Sequence, residues 1–142
     1  MYAVGILTET TADLQKYAFK ASHPGQFCNV GLWSISQHPN FFGNLLLWSG
    51  IFCMNAPALV ETPKGTGLWA KIWAARRTGV ALLSPLFMFL LFSGQANGTI
   101  TNAVQLAQKK YGSDPAYQSY IETVPKIFPN PLLWFRHSPG KS

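Results

Sequence analysis

Glu9, Asp13, Lys16 and Lys20 recur at intervals of four, three and four residues in TETTADLQKYAFK, so a helix through this stretch places all four on one face. Two readings fit such a stripe. It is either a solvated face with internal ion pairs, each worth about 0.2–0.5 kcal/mol, or a polar face turned toward a cofactor cavity. A second polar group, His38, Pro39 and Asn40, stands directly before two phenylalanines and a long apolar run. His38 either caps the following helix through its ring or holds a ligand. Asn40, Asn44, Ser49 and Asn55 are costly in lipid, which predicts that they face the protein interior.

Other chemistries find no residues to carry them. No Ser–His–Asp set, metal-ligand cluster or phosphate-binding glycine loop can be assembled, and KGTG at Lys64 is too short for a P-loop. Cys28 and Cys53 lack metal spacing and read as two buried thiols, with a disulfide between them as the alternative. Tyr111, Tyr117 and Tyr120 read as packing residues, and His137 as solvated. The formal charge of +6 is scattered along the chain, with no basic helix, zinc-finger or RNP pattern, which argues against a nucleic-acid partner.

The elements that position these groups follow from where the charges are missing. Only 11% of the 142 residues are charged, against roughly 25% in an ordinary soluble domain. No Lys, Arg, Asp or Glu lies between Lys20 and Glu61, or between Arg77 and Lys109. Residues 40–60 form one uncharged run, long enough as a helix to cross a hydrocarbon core of about 30 Å, with Pro57 bending or ending it. The run from Thr78 to Gly94 is more apolar and carries Pro85 as a kink. Two such segments could instead be core helices of a soluble domain, but the rest of the chain is too short to wrap both. Between them Trp69 and Trp73 sit beside Lys71, Arg76 and Arg77, the composition of a membrane–water interface.

The predicted architecture is therefore an all-α membrane protein, a single domain over 1–142. A polar-striped helix over 1–20 is followed by transmembrane helices over 40–60 and 78–100 in a hairpin. A C-terminal amphipathic helical tail occupies 104–142. MYAVGIL reads like the last two turns of an apolar helix whose beginning is missing. In the tail, Gly112 ends one helix and Asp114 or Ser113 caps the next, with Pro115 at its first position. Pro125, Pro129 and Pro131 then predict an extended exit. The linker carries four basic residues and the two end segments seven, so the positive-inside rule leans toward both termini on the cytoplasmic or equivalent organellar face.

Three motifs in order carry a family resemblance. GLWSISQHPNFFGN resembles the GLW-x-x-SRHPNYFGE box of the steroid 5-alpha-reductase-like membrane proteins, in the branch labelled a domain of unknown function. Sterol C14-reductases and isoprenylcysteine carboxyl methyltransferases share the broader fold. TETTADLQKYAFK is similar to the E-x-x-AD-x-QK-x-x-F stretch upstream of that box, and FCNVGLW to its lead-in. KKYGSDPAYQSYIETVPKIFP is similar to the family's C-terminal motif. The match covers nearly the whole chain.

The resemblance implies a helical membrane bundle that holds NADPH from one side. Glu9 and Asp13 would be polar contacts, Lys16 and Lys20 would face phosphates, and Asn40 would bond the nicotinamide or its support. His38, Asn44 and Tyr111 would line the pocket. Catalytic residues are not assigned. The chain departs from the pattern at Gln37, where the family has arginine, at Asn44, where it has glutamate, and near Val104, where an acid is expected. Relatives also carry several membrane helices upstream, including the acid–tyrosine pair assigned to substrate protonation, so the resemblance implies a C-terminal half.

Three functions follow as expectations. The first is the NADPH-binding half of an oxidoreductase acting on a lipophilic C=C substrate. The second is a degenerate relative serving as a structural subunit of a larger respiratory or photosynthetic membrane complex. The third is a methyltransferase of the same broad fold. The expected setting is a lipid bilayer with partner membrane helices, in the endoplasmic reticulum or in a chloroplast or mitochondrial membrane.

Overall fold

The computed structural model describes residues 1–60, 64–100 and 102–136. Pro63 of the connector, Thr101, and His137 with the rest of the terminal segment lie outside the described residues. Seven α-helices follow one another: α1 (Tyr2–Ser22), α2 (Pro39–Leu59), α3 (Leu68–Ala81), α4 (Leu83–Ala96), α5 (Ala103–Tyr111), α6 (Pro115–Thr123) and α7 (Leu132–Arg136). A 3-10 turn, Gly31–Ser34, lies between α1 and α2. Among the described residues there is no strand, so the all-α expectation holds.

Local chemistry accounts for the helix ends. Pro24 disfavours helical backbone at His23, which has φ −129° and ψ 68°, and Gly25 then turns the chain at φ +91°. Pro39 opens α2 at its first position, where a missing N–H costs nothing. Asp114 caps α6 by accepting from the Ala116 N–H at 2.9 Å, ahead of Pro115. Pro57 does not stop α2, which continues to Leu59.

The second long helix differs from its expected limits. Leu82, at φ −64° and ψ −22°, keeps α3 and α4 in one helical run, so the span is Leu68–Ala96, 29 residues, rather than 78–100. The interfacial tryptophan segment is its first part. Pro85 loosens the junction because it has no N–H to offer the preceding turn. The tail also differs: instead of an extended exit, the prolines lead into the short α7.

Two helices, Pro39–Leu59 and Leu68–Ala96, are long and apolar enough to cross a membrane. Only 17% and 11% of their apolar windows are buried against the rest of the chain, whereas core helices of a soluble domain are mostly buried. Phe87, Leu90, Leu83 and Val80 all present large apolar surface. The setting that suits such faces is a lipid bilayer.

The tightest contact in the molecule is α1 against α2, antiparallel. A Cβ added at Gly5 would lie 2.5 Å from the Leu47 nitrogen, one at Gly43 2.5 Å from the Glu9 nitrogen, and one at Gly50 2.5 Å from the Tyr2 nitrogen. These are backbone atoms and cannot swing aside. Small residues let the helices approach this closely, the usual device where no hydrophobic drive separates helix from lipid. At the mouth end, α4 returns beside α2: Phe41 stacks on Phe92 at 4.6 Å, and Leu45, Ala96 and Ile127 form a buried cluster.

Gly43→Ala therefore forces α1 off α2 and is expected to destabilise by about 1–3 kcal/mol despite its better helix propensity. Gly79 has nothing within 4 Å of its hypothetical Cβ, so Gly79→Ala should be neutral or stabilising. Thermal melts of the two variants in detergent check this. A Gly43→Ala protein that melts at or above wild type contradicts the packing.

Candidate functional site

Asp13 faces Asn40 at the start of α2, so the remaining turns of α1, residues 14–22, run on past the end of α2 by about 13 Å. That overhang makes one wall of a cleft. Trp33 pins the 3-10 turn to it by donating from its indole N–H to the Ala12 carbonyl at 2.8 Å. The Leu32 N–H donates to Gln15 Oε1 at 2.9 Å. Gly31, at φ +56°, provides the turn and leaves room for the Gln15 amide.

The tail closes the opposite wall by strapping onto the 3-10 turn and the residues that follow it. Ser36 Oγ donates to the Ile127 carbonyl at 2.8 Å, the Asn130 N–H to Ile35 O at 2.9 Å and the Gln37 N–H to Pro125 O at 2.9 Å. Gln37 Nε2 donates to the carbonyls of Ile121 and Val124. Tyr120 OH donates to Trp33 O at 2.8 Å. Buried Ile35, Val124 and Leu133 complete the clasp.

Between these walls is a cleft of about 380 Å³, within the usual range for small-molecule sites. Lys16, Lys20 and Lys126 supply three positive charges, and no Asp or Glu is among its described lining residues. Phe27, Tyr111, Tyr117 and Tyr120 pack together on one side, with Phe27 5.2 Å from Tyr117 and 5.4 Å from Tyr120 between ring centres. Ala96, Ala103, Val104, Ala107 and Ile121 are apolar. Such a site suits an anion with a flat or apolar body.

The lysines are held apart from carboxylates. Lys16 Nζ lies 4.5 Å from the centre of the Trp33 ring. Lys20 Nζ donates to Tyr111 OH at 2.8 Å and to the Gln26 carbonyl. Lys126 Nζ donates to Asn97 Oδ1. The bond from Lys20 holds the Tyr111 phenol below its usual pKa, against a smaller opposing effect of burial. Tyr111 OH also donates weakly to Gln26 O at 3.3 Å.

His38 occupies the cap position of α2 but makes no capping hydrogen bond. Its ring instead stacks on Phe41 at 4.7 Å, which settles the capping reading against the ring. Burial, followed by the charges of Lys16 and Lys126, pushes its pKa down to about 4. His38 is neutral at physiological pH, so one ring nitrogen is available as a donor and the other as an acceptor.

Of the eight residues proposed from the sequence, Lys16, Lys20, His38 and Tyr111 line the cleft. Glu9, Asp13, Asn40 and Asn44 stand outside that lining and face one another across α1 and α2. Asn40 Nδ2 donates to Asp13 Oδ1 at 3.1 Å, and Asn44 Nδ2 donates to Glu9 Oε1 at 2.9 Å. A glutamate in place of Asn44 would set one carboxylate against another; the amide makes a rung instead. Asn40 and Asn44 thus face protein rather than lipid, whereas Asn55 is exposed, contrary to expectation, and donates to the Ile51 carbonyl of its own helix at 2.8 Å.

Sequence reading missed Lys126, Phe27, Trp33 and Gln37 as lining groups, because the tail contacts that bring them together leave no periodic signal. Of the two cysteines, Cys28 is buried in the cleft wall, and burial raises its thiol pKa. Cys53 is exposed, correcting the expectation of two buried thiols.

The His38 shift fixes a pH dependence. Its folded pKa lies below the reference value of 6.5, so its stabilising contribution is full above pH 6.5 and declines as pH falls toward 4. The loss should reach at most about 3 kcal/mol. His38→Gln should flatten the fall in melting temperature between pH 7 and pH 4.5. An equally steep fall in the variant contradicts the assignment.

The model of the family described as protein of unknown function DUF1295 matches residues 1–124. No curated protein and no solved structure matches the chain. With almost nine-tenths of its length in that match, from α1 through the end of α6, the chain belongs to the DUF1295 family.

Proposed function

We propose that the cleft binds a phosphorylated dinucleotide, NADPH, and that this chain is the cofactor-holding half of a membrane oxidoreductase acting on a lipophilic C=C substrate. The observation that carries the reading is the trio of lysines converging on an aromatic-walled cleft with no carboxylate among its described lining. Three cations offset the charge of pyrophosphate and a further phosphate. The ring cluster offers faces for a base or a nicotinamide. Resemblance of the three motifs to the steroid 5-alpha-reductase-like proteins supports the same reading, as does membership of DUF1295.

In this proposal Lys16, Lys20 and Lys126 hold the phosphates. Neutral His38 bonds the nicotinamide end or the substrate. Glu9, Asp13, Asn40 and Asn44 act indirectly, fixing the overhang of α1 at the height where its lysines reach the cleft. NADPH would supply hydride when bound. The proton that must accompany it is held at Tyr111 OH, whose acidity Lys20 increases and whose weak bond to Gln26 O is easily redirected.

The structural-subunit reading is favoured by a different observation: Gln37 and Asn44 are neutral, and both are spent holding the fold. Cofactor binding separates the two. Fluorescence titration of the folded protein in detergent or nanodiscs should show saturable NADPH binding. Lys20→Met and Lys126→Met should each weaken it by about tenfold, the value of one charge-assisted hydrogen bond. Absence of saturation at millimolar cofactor overturns the reductase reading, and a stable copurifying membrane complex would then favour the subunit.

A further inference from the structure

A second charged surface lies at the opposite end of the hairpin. The helix Leu68–Ala96 has 29 residues and is about 43 Å long, some 13 Å more than a hydrocarbon core. Its uncharged part, 78–96, spans about 28 Å and fills that core alone. Residues 68–77 therefore stand in the headgroup layer. Trp69 and Trp73 are four residues apart on one face, and their side chains are 81% and 68% exposed. Leu68 and Ile72 beside them are exposed as well.

The segment is net basic. Lys64, Lys71, Arg76 and Arg77 fall within 61–77 against the one acid, Glu61. Arg76 does not point along its helix toward the bilayer centre. Its guanidinium folds back over Trp73, 4.5 Å from the ring centre, and donates to the Trp73 carbonyl. An arginine at the hydrocarbon boundary takes this course when it reaches outward to the headgroups. A neighbouring membrane helix would have to desolvate these cations at considerable cost. Lipid phosphates meet them in a wet layer, and the tryptophans sit at that same depth.

We propose that residues 64–77 form a collar for anionic phospholipid headgroups, which sets the depth of the α3–α4 helix in the bilayer. The collar is independent of the dinucleotide cleft, from which the whole length of α2 separates it.

The test uses tryptophan quenching by brominated lipid. The full chain is reconstituted in phosphatidylcholine nanodiscs containing a minor fraction of either brominated phosphatidylglycerol or brominated phosphatidylcholine. Subtracting the signal of a Trp69→Phe/Trp73→Phe variant isolates the collar. Its quenching should be about fivefold stronger with the anionic lipid, which corresponds to about one effective basic contact. Raising the salt concentration in the native sample should erase the difference, a measurement that needs no charge variant. Lys71→Gln/Arg76→Gln/Arg77→Gln should also erase it with helical circular dichroism retained. Equal quenching by both lipids overturns the proposal. So does a preference that survives both salt and charge removal. Quenching by neither lipid overturns it too, because protein then covers the collar.

Discussion

The close approach of α1 to α2 is the constraint on which the rest of the molecule depends. Glycines at 5, 43 and 50 bring backbone against backbone, so the register of the two helices is fixed within a turn. That register sets Glu9 opposite Asn44 and Asp13 opposite Asn40. In lipid such rungs contribute modestly, about 0.6 kcal/mol each on average, but leaving the same groups unpaired costs several. Packing chooses the register, and the polar pairs penalise any other.

The cleft follows from the same register. Because Asp13 meets the first turn of α2, the last turns of α1 have no transmembrane neighbour and project into the interface. They carry Lys16 and Lys20 with them. The tail then supplies the facing wall through hydrogen bonds between main-chain carbonyls and Ser36, Gln37 and Tyr120. A basic cleft at the rim of the bilayer is open to water-borne anions on one side and close to lipid on the other. That position is the one the proposed function requires, with a soluble cofactor acting on a lipophilic partner molecule.

Much of this was legible in the sequence, for identifiable reasons. Charge-free runs exposed both membrane helices, and Gly112, Asp114 and Pro115 marked the boundary of α5 and α6. The second span was expected to start at residue 78 because Lys71, Arg76 and Arg77, with the tryptophans, were assigned to the membrane–water interface, whereas the helix already begins at Leu68. At the site, the four-three-four stripe correctly put Glu9, Asp13, Lys16 and Lys20 on one side of α1. It could not show that the acids end in rungs while the lysines reach past the end of α2. That division depends on the overhang, a property of two helices together. Lys126 and Phe27 were invisible because turns and tail contacts, rather than any helical period, bring them to the cleft.

The antiparallel register of α1 on α2 can be measured directly by disulfide trapping in a bilayer. Tyr2 and Cys53 border one open groove at the far end of the pair. In a Cys28→Ser background, Tyr2→Cys should oxidise rapidly to an intramolecular disulfide with Cys53, identified by peptide mass spectrometry, while Phe19→Cys should not. Failure of the first pair to form, or cross-linking from position 19 instead, would contradict the arrangement that builds both the rungs and the cleft.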